Sequence, residues 1–178
     1  MSLRGFRVPR ATVQQIRTIA EALRHTLQGQ NFKSMEEFLD GMINDLKLLI
    51  VPDNASELPG GFEAGYDPEK RCILLRDSDY KALCRGTGRR SRFTFWHEFG
   101  HFFLNHRRVI GRATANELPH SYEEDSEWQA NTFAAEFLMP YSVIKREGLT
   151  TPEQIMHRFK VSRPAAVVRL KALKEEGR

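Results

Sequence analysis

One stretch of nine residues, FTFWHEFGH at positions 93–101, constrains this chain more than any other. His97 and His101 are four residues apart, so on an α-helix their imidazoles lie on one face, a single turn apart. Aromatic side chains flank them on all sides, which predicts a buried helix. Because buried polar groups need partners, the chain must fold so that these two histidines have something to bind.

Two imidazoles on one helical face are able to hold a metal ion, and zinc favours neutral histidine together with carboxylate ligands. Glu98 lies beside that face, where its carboxylate could take a proton from water. A structural interpretation competes with this one: His97 and His101 would be core residues hydrogen-bonded to the backbone, and Glu98 would pair with an arginine. A third ligand favours the metal, because a catalytic zinc has three protein ligands and one open position.

The segment SEWQANTFAAEFLMP, at positions 126–140, predicts a second helix that carries the third ligand. Glu127 and Asn131 are four residues apart and share a face, so Glu127 can bind the metal. A metal-bound histidine usually donates its other N–H to a nearby acceptor, and the side-chain oxygen of Asn131 is a candidate for that role. Alanines at positions 130 and 134 permit the two helices to approach closely.

Other side chains compete for the third position. Glu124 and Asp125 suit the capping of the helix start instead, where acids are favoured by the helix dipole. Glu136 is nine residues from Glu127 and falls on the opposite face of the helix. His106 is nine residues beyond the first histidine of the motif, so if the helix reaches it, the same period predicts that it faces away from the metal. Glu127 is therefore the preferred ligand.

The remaining sequence predicts a mostly helical α+β chain. Apolar residues at three- and four-residue steps predict a helix at 10–28 and another through Leu46, the second begun by a capping box of Ser34 and Glu37. The segments LKLLIVP and FEAGYDPEKRCILLRD predict a small antiparallel sheet. Further predictions are a turn at Asp67 and Pro68, loops at 84–92 and 107–120, a helix at 122–139, and helices that start at Thr151 and Ser162. The last two helices meet at a tight turn, as in a helix-turn-helix unit.

Composition narrows the class of protein. The apolar runs fall far short of the ~20 residues needed for a membrane span, so we expect a soluble, cytoplasmic protein with no membrane partner. Cys72 and Cys84 form no CxxC pair, so we expect both to be reduced. The formal net charge is +4, and positions 81–112 hold eight Lys or Arg against one acid. Such a field attracts acidic partners, although a solvated basic loop is an equal alternative.

The two motif segments together resemble the ImmA/IrrE metallopeptidases. RFTFWHEFGHFFLNH at 92–106 and SEWQANTFAAEFLMP at 126–140 match that family's pattern, an RFT-HExxH helix followed by E-x-x-A-N-x-F-A-A-x-x-L-M-P. The resemblance covers roughly residues 60–173. Where the family usually has small or aliphatic residues before and within HExxH, this chain has the bulkier Trp96 and Phe99.

The resemblance implies a minimal zincin-like domain and a cytosolic zinc endopeptidase that cleaves helix-turn-helix transcriptional repressors and so relieves repression. It also implies one Zn²⁺ per chain, with His97, His101 and Glu127 as its ligands, and Glu98 as the general base. The expected parts are an N-terminal helical scaffold at 1–47, a zincin-like metallopeptidase core at 48–140, and a C-terminal helix-turn-helix-like pair at 141–178 packed on that core.

A second candidate function belongs to another class. A non-catalytic antirepressor or DNA-binding module would use the segment MHRFKVSRPAAVVRLKAL at 156–173. Its phosphate contacts would come from Arg163, Arg169, Lys171 and Lys174. The presumed recognition helix begins with proline, alanine and valine, which offer few groups for base edges, so packing or docking to a partner is favoured over DNA binding.

A peptidase also needs a donor that stabilises the oxyanion and a place for the substrate chain. His120, Tyr122 and Tyr141 flank the third-ligand helix and are candidates for the donor. An extended substrate could pair with an edge strand of the small sheet.

Overall fold

A computed structural model describes residues 5–29, 35–53, 64–107 and 120–177. In chain order its elements are α1 (Val13–Gly29), α2 (Met35–Leu46), β1 (Leu49–Asp53), β2 (Ala64–Asp67), β3 (Cys72–Arg76), α3 (Asp77–Cys84), α4 (Arg89–Phe103), a 3₁₀ turn (Tyr122–Glu124), α5 (Ser126–Leu138), α6 (Tyr141–Arg146), α7 (Pro152–Phe159) and α8 (Arg163–Glu176). These elements confirm the predicted α+β class, mostly helical with a small sheet. Within the four ranges, no helix has the length and apolarity that a membrane crossing requires.

The sheet of the described residues has three strands in the order β1-β3-β2. β2 and β3 form the predicted antiparallel hairpin, and the side chain of Asp67 accepts hydrogen bonds from the backbone of Glu69 and Lys70 in its turn. β1, however, pairs with β3 in parallel, so the sheet is mixed rather than wholly antiparallel. The prediction assumed that neighbouring extended segments form hairpins. Instead, the apolar strand β3 pairs on both edges and occupies the centre.

Most of the predicted helices are present, with shifted ends. α1 runs from Val13 to Gly29, against the predicted range of 10–28. α4 begins at Arg89, so the loop predicted at 84–92 is shorter than expected. The short helices α3 and α6 were not predicted, because eight and six residues are too few to repeat an apolar stripe. The predicted cap Ser34 and the loop residues 108–119 lie outside the described residues.

Local capping sets the start of α5. Glu124, predicted to cap the helix start, forms a capping box with Ser121, but this box closes the 3₁₀ turn rather than the helix. α5 begins at Ser126, where the carboxylate of Asp125 accepts a hydrogen bond from the backbone N–H of Trp128 at 2.8 Å. Asp125 therefore has the capping role predicted for it.

α4 and α5 pack closely because small residues meet between them. A Cβ atom added at Gly100 would lie 3.1 Å from the ring of Phe133 and 3.2 Å from the backbone oxygen of Ala130. A larger residue at this position would push the two helices apart. In the same aromatic core the rings of Trp96 and Phe137 stack with centroids 3.7 Å apart. The bulky aromatic residue of the motif thus fills the core.

A buried ion cluster joins α1, α5 and α8. Glu136 of α5 is fully buried and accepts hydrogen bonds from Arg17 of α1 at 2.8 Å and from Arg169 of α8 at 2.8 and 2.6 Å. Arg17 also contacts Glu176 at 2.6 Å. N-terminal and C-terminal helices therefore contact the same central helix. The division into scaffold, core and C-terminal pair stays a prediction.

Candidate metal centre

The predicted metal ligands converge at one point between α4 and α5. The Nε2 atoms of His97 and His101 are 3.2 Å apart. One carboxylate oxygen of Glu127 lies 3.2 Å from Nε2 of His97, and the other lies 3.2 Å from Nε2 of His101. Helical spacing places both imidazoles on one face of α4, and the first turn of α5 brings the carboxylate to them.

This spacing fits a tetrahedral ion. Zinc binds nitrogen and oxygen at about 2.0–2.1 Å, so neighbouring ligand atoms of a tetrahedron are about 3.3–3.4 Å apart. The Nε2–Nε2 separation of 3.2 Å is close to that value, and each of the two nitrogens has one oxygen of Glu127 at 3.2 Å. Two imidazoles and one carboxylate are also a donor set that suits zinc. The residues present therefore fit a zinc ion.

Charge at this point favours a cation. Burial disfavours the charged form of Glu127, but its contacts with the imidazoles of His101 and His97 outweigh that effect and hold the pKa of the carboxyl far below its ordinary value. Burial also opposes protonation of His97, yet Glu127 and Glu98 outweigh it and raise the pKa of that imidazole. The carboxylate is thus ionised and attracts positive charge to the point where the three side chains meet.

Glu98 lies on α4 beside the first histidine and is buried, with 4% of its surface exposed. Burial raises the pKa of its carboxyl, against the opposing effect of the two histidines. The backbone of Tyr66 in β2 is hydrogen-bonded to the carboxylate, whereas Oε2 has no hydrogen-bond partner among the described residues. A buried carboxylate oxygen without a hydrogen-bond partner is free to take up a proton, and a raised pKa favours the protonated form. Both features are typical of a group that accepts and returns a proton.

The other ring nitrogens of the two histidines also have partners. Nδ1 of His97 lies 3.2 Å from the side-chain oxygen of Asn131, the acceptor named from the sequence. Nδ1 of His101 lies 2.8 Å from Nδ1 of His106, a residue predicted to face away. That prediction was wrong because α4 has already ended and Asn105, with a left-handed φ of 57°, turns the chain back.

His106 and Gln129 are two residues of the site that the sequence did not reveal as such. His106 is 2% exposed, and its Nε2 lies 3.0 Å from the side-chain oxygen of Gln129. Burial and the neighbouring His101 lower the pKa of His106 to about 4, so the imidazole is neutral at pH 7. No signal in the sequence singled out Gln129, because the same helix also carries the polar side chains of Glu127, Asn131 and Glu136.

The residues that competed for the third position have other partners, namely Arg7 for Glu124, His120 for Asp125, and the buried ion cluster for Glu136. Of the candidate oxyanion donors, His120 lies 3.1 Å from that aspartate. The guanidinium carbon of Arg17 lies 4.3 Å from the centroid of the Tyr141 ring. Tyr122 is 47% exposed. The oxyanion role stays a prediction for all three.

The sequence model of a known family, Peptidase_M78, described as an IrrE N-terminal-like domain, matches residues 64–171. The chain belongs to this family. The matched range contains both α4 and α5, and it confirms the resemblance found from the two motif segments. Membership in the Peptidase_M78 family implies a metal, usually zinc.

A solved structure of a Mycobacterium tuberculosis transcriptional regulator is similar to this Peptidase_M78 chain, with a TM-score of 0.52 and 17% sequence identity. The similarity covers 85% of this chain and 46% of that chain, so this chain spans about half the length of the regulator. At this identity the likeness shows a shared fold. Comparison with curated proteins gives no match.

Proposed function

We propose that this chain is a zinc-dependent endopeptidase that cleaves a protein substrate. The observation that carries the proposal is the cluster of His97, His101 and Glu127, in which the two Nε2 atoms lie 3.2 Å apart and each lies 3.2 Å from one oxygen of Glu127. The buried carboxylate of Glu98 lies on the same helix as the two histidines. Membership in a metallopeptidase family supports the proposal.

His97, His101 and Glu127 would hold one ion per chain and leave its fourth position to substrate or water. When bound, zinc supplies Lewis-acid chemistry, which polarises a peptide carbonyl and makes water acidic enough to react near neutral pH. Glu98 takes the proton of the attacking water at Oε2 and then delivers it to the nitrogen of the leaving amine. The raised pKa of its carboxyl helps it to give the proton back.

The small sheet suits the binding of an extended substrate. Among the described strands β2 lies at an edge of the sheet, and its residue Tyr66 contacts the carboxylate of Glu98 through the backbone. A peptide that paired with this edge would pass close to the general base. We therefore place the substrate chain along β2.

The proposed substrate is a helix-turn-helix transcriptional repressor or an antitoxin-like regulator, so that cleavage relieves repression. The resemblance of the two motif segments to the ImmA/IrrE metallopeptidases supports this choice. The similarity in fold to a transcriptional regulator is consistent with a place in gene regulation.

Zinc content is the first test. The purified chain should hold about one zinc, lose it to a chelator, and regain it when zinc is added back. A chain that binds no zinc under any of these conditions would leave His97 and His101 as core residues and would refute the proposed function.

Cleavage is the second test. The zinc-loaded chain, incubated with purified helix-turn-helix repressors of the same organism, should release defined fragments that mass spectrometry identifies. Glu98→Gln should retain zinc but slow cleavage by about 10²–10⁴-fold, because the general base is lost. Cleavage at the wild-type rate by this variant would show that another group takes the proton.

The alternative, a DNA-binding module, is weakened by the position of Arg169. This residue, one of four predicted to contact phosphates, is 3% exposed and bound to Glu136. The prediction was wrong for Arg169 because the core side of α8 meets a buried carboxylate. α8 also exposes Val167 and Val168, 42% and 62% respectively, which suits contact with an apolar surface. Steeply salt-dependent binding to duplex DNA would reverse this preference.

A further inference from the structure

A series of hydrogen bonds connects the N-terminal segment, residues 5–9, with His101. Its first side chain is that of Gln129 in α5, which is 2% exposed. The side-chain nitrogen of Gln129 lies 2.9 Å from the backbone oxygen of Pro9 and 2.7 Å from that of Glu123. Both carbonyl oxygens can only accept, so they take the two amide protons. The side-chain oxygen of Gln129 is therefore left as an acceptor.

His106 is the second side chain in this series of hydrogen bonds. Its Nε2 lies 3.0 Å from the oxygen of Gln129, and because that oxygen only accepts, Nε2 must carry the proton. A neutral imidazole has one N–H, so Nδ1 of His106 is an acceptor. That atom lies 2.8 Å from Nδ1 of His101, which must therefore donate.

His101 consequently carries its proton on Nδ1 and presents the lone pair of Nε2. This Nε2 atom is the one that lies 3.2 Å from both Nε2 of His97 and Oε1 of Glu127. The opposite tautomer would place a proton where the ion binds. It would also set two lone pairs against each other between His101 and His106. The two backbone carbonyls can only accept, and they thus fix the donor and the acceptor in every hydrogen bond from Gln129 to His101.

We propose that Gln129 and His106 are positioning residues that hold His101 in its metal-binding tautomer. The inference rests on the proposed function, since it assigns a supporting pair to one ligand of the same metal site. It also gives the N-terminal segment a part in the site. Pro9, which orients Gln129, lies outside the range 64–171 that matches the family.

The N-terminal segment is held where this role requires it. The backbone N–H of Val8 donates to the carbonyl of Glu124 at 2.8 Å, and that of Ser126 donates to the carbonyl of Phe6 at 3.1 Å. A Cβ atom added at Gly5 would lie 2.5 Å from the hydroxyl oxygen of Ser126. Glycine is therefore required for so close an approach.

Imidazole ¹⁵N NMR of the full chain reports the tautomers directly. In the zinc-free wild type at about pH 8.5, about two units above the ordinary pKa of an imidazole, His101 should be protonated at Nδ1 and His106 at Nε2. Each signal is assigned by its loss when that histidine is replaced. Gln129→Leu should remove the preference of His106 for Nε2–H. A zinc-free wild type with His101 protonated at Nε2, or with His106 protonated at Nδ1, would overturn the proposal.

Zinc affinity, measured by competition with a chelator, is the second readout. His106→Leu removes the acceptor and should weaken zinc binding by about 10–100-fold. His106→Gln, whose side-chain oxygen can accept from His101, should recover part of that loss. His25→Gln, at an exposed histidine of α1, is the matched control and should bind zinc as the wild type does. Urea unfolding checks that each zinc-free variant is folded in the assay.

The outcomes separate this proposal from the proposed function. If the wild type binds zinc and His106→Leu binds it equally well, the positioning role is overturned and the metal site stands. If the wild type binds no zinc, the metal site is overturned and the positioning role with it. Should His106→Leu fail to fold, an unchanged zinc affinity in Gln129→Leu overturns the proposal, and a 10–100-fold loss with altered His106 tautomers supports it.

Discussion

Two polar clusters lie on α5, and their partners are of opposite kinds. Near the start of the helix, Glu127 faces the imidazoles of His97 and His101. Nine residues later, Glu136 faces the guanidinium groups of Arg17 and Arg169. Burial alone would raise the pKa of both carboxyls, but contact with their partners holds each pKa below its ordinary value.

The difference lies in what the partners can supply. Arginine stays protonated and offers five N–H donors, so the cluster around Glu136 satisfies itself. A neutral imidazole offers a lone pair, so three acceptor atoms meet around Glu127, and a metal cation can satisfy all three at once. The same type of residue on one helix therefore fastens the fold at one end and forms a candidate binding site at the other.

The largest effect on stability is expected from Glu136→Gln, which removes the negative charge from the centre of the buried ion cluster. Arg17 and Arg169 would stay buried without a full counter-charge, so the zinc-free chain should lose about 3–5 kcal/mol of unfolding free energy. Zinc affinity should be unchanged, since the metal centre keeps all its ligands. Urea unfolding measures the loss, with Glu175→Gln on the exposed side of α8 as the control. A loss below about 1 kcal/mol would remove the contrast between the clusters.

The same substitution at the other end of the helix, Glu127→Gln, should have the opposite profile. Zinc bound by four ligands is worth about 10–16 kcal/mol, so one ligand contributes about 3–4 kcal/mol, or roughly 10²–10³-fold in affinity. The unfolding free energy of the zinc-free chain should fall less than in Glu136→Gln, because the Glu127 side chain is 32% exposed whereas Glu136 is fully buried. Chelator competition measures the affinity. An unchanged value would assign the third ligand to a different carboxylate.

Gly100→Ala should affect stability and the metal centre together, because it separates the helices that carry the ligands. Overpacking costs about 1–3 kcal/mol, and the better helix propensity of alanine returns about 1 kcal/mol, so a net loss of about 1 kcal/mol is expected. Zinc affinity should fall several-fold as α5 moves. Gly177→Ala is the control, since its added Cβ would meet nothing closer than 3.7 Å. Normal zinc affinity in Gly100→Ala would mean that the spacing of the helices does not limit the site.

The smallest effect is expected from Glu124→Gln, at an ion pair with Arg7 near the surface. The hydrogen bonds from Arg7 and Ser121 lower the pKa of Glu124 to about 2. A carboxyl with a depressed pKa stabilises the fold above its ordinary pKa of about 4.5, and that contribution fades as the pH falls towards 2. The wild type should therefore have a slightly higher urea midpoint than the variant at pH 6, and the difference should shrink by about pH 3. A difference that grows in acid would contradict the assigned shift.

Helical spacing accounts for what the sequence predicted well. The four-residue separations of His97 from His101 and of Glu127 from Asn131 are local features, and a helix translates them directly into shared faces. The two helices and the four side chains that meet could therefore be named in advance, although their chemical roles remain predictions. The hairpin turn at Asp67 was equally local and equally well predicted.

The predictions that failed depended on where an element ends or on what packs against it. His106 faces the site because α4 stops and the chain turns back at Asn105, which a period of 3.6 residues does not anticipate. β1 is parallel because β3 takes the centre of the sheet. Arg169 is buried because a carboxylate from another helix meets it.

The sequence by itself determined that two amphipathic motifs present a His-His-Glu set with a neighbouring glutamate, because those spacings are set within single helices. Only the tertiary structure decided how that set is supported. Gln129 and Pro9 are 120 positions apart, yet their contact orients the side chain that faces His106. Such contacts arise from the packing of distant segments, and no local periodicity records which segments will meet.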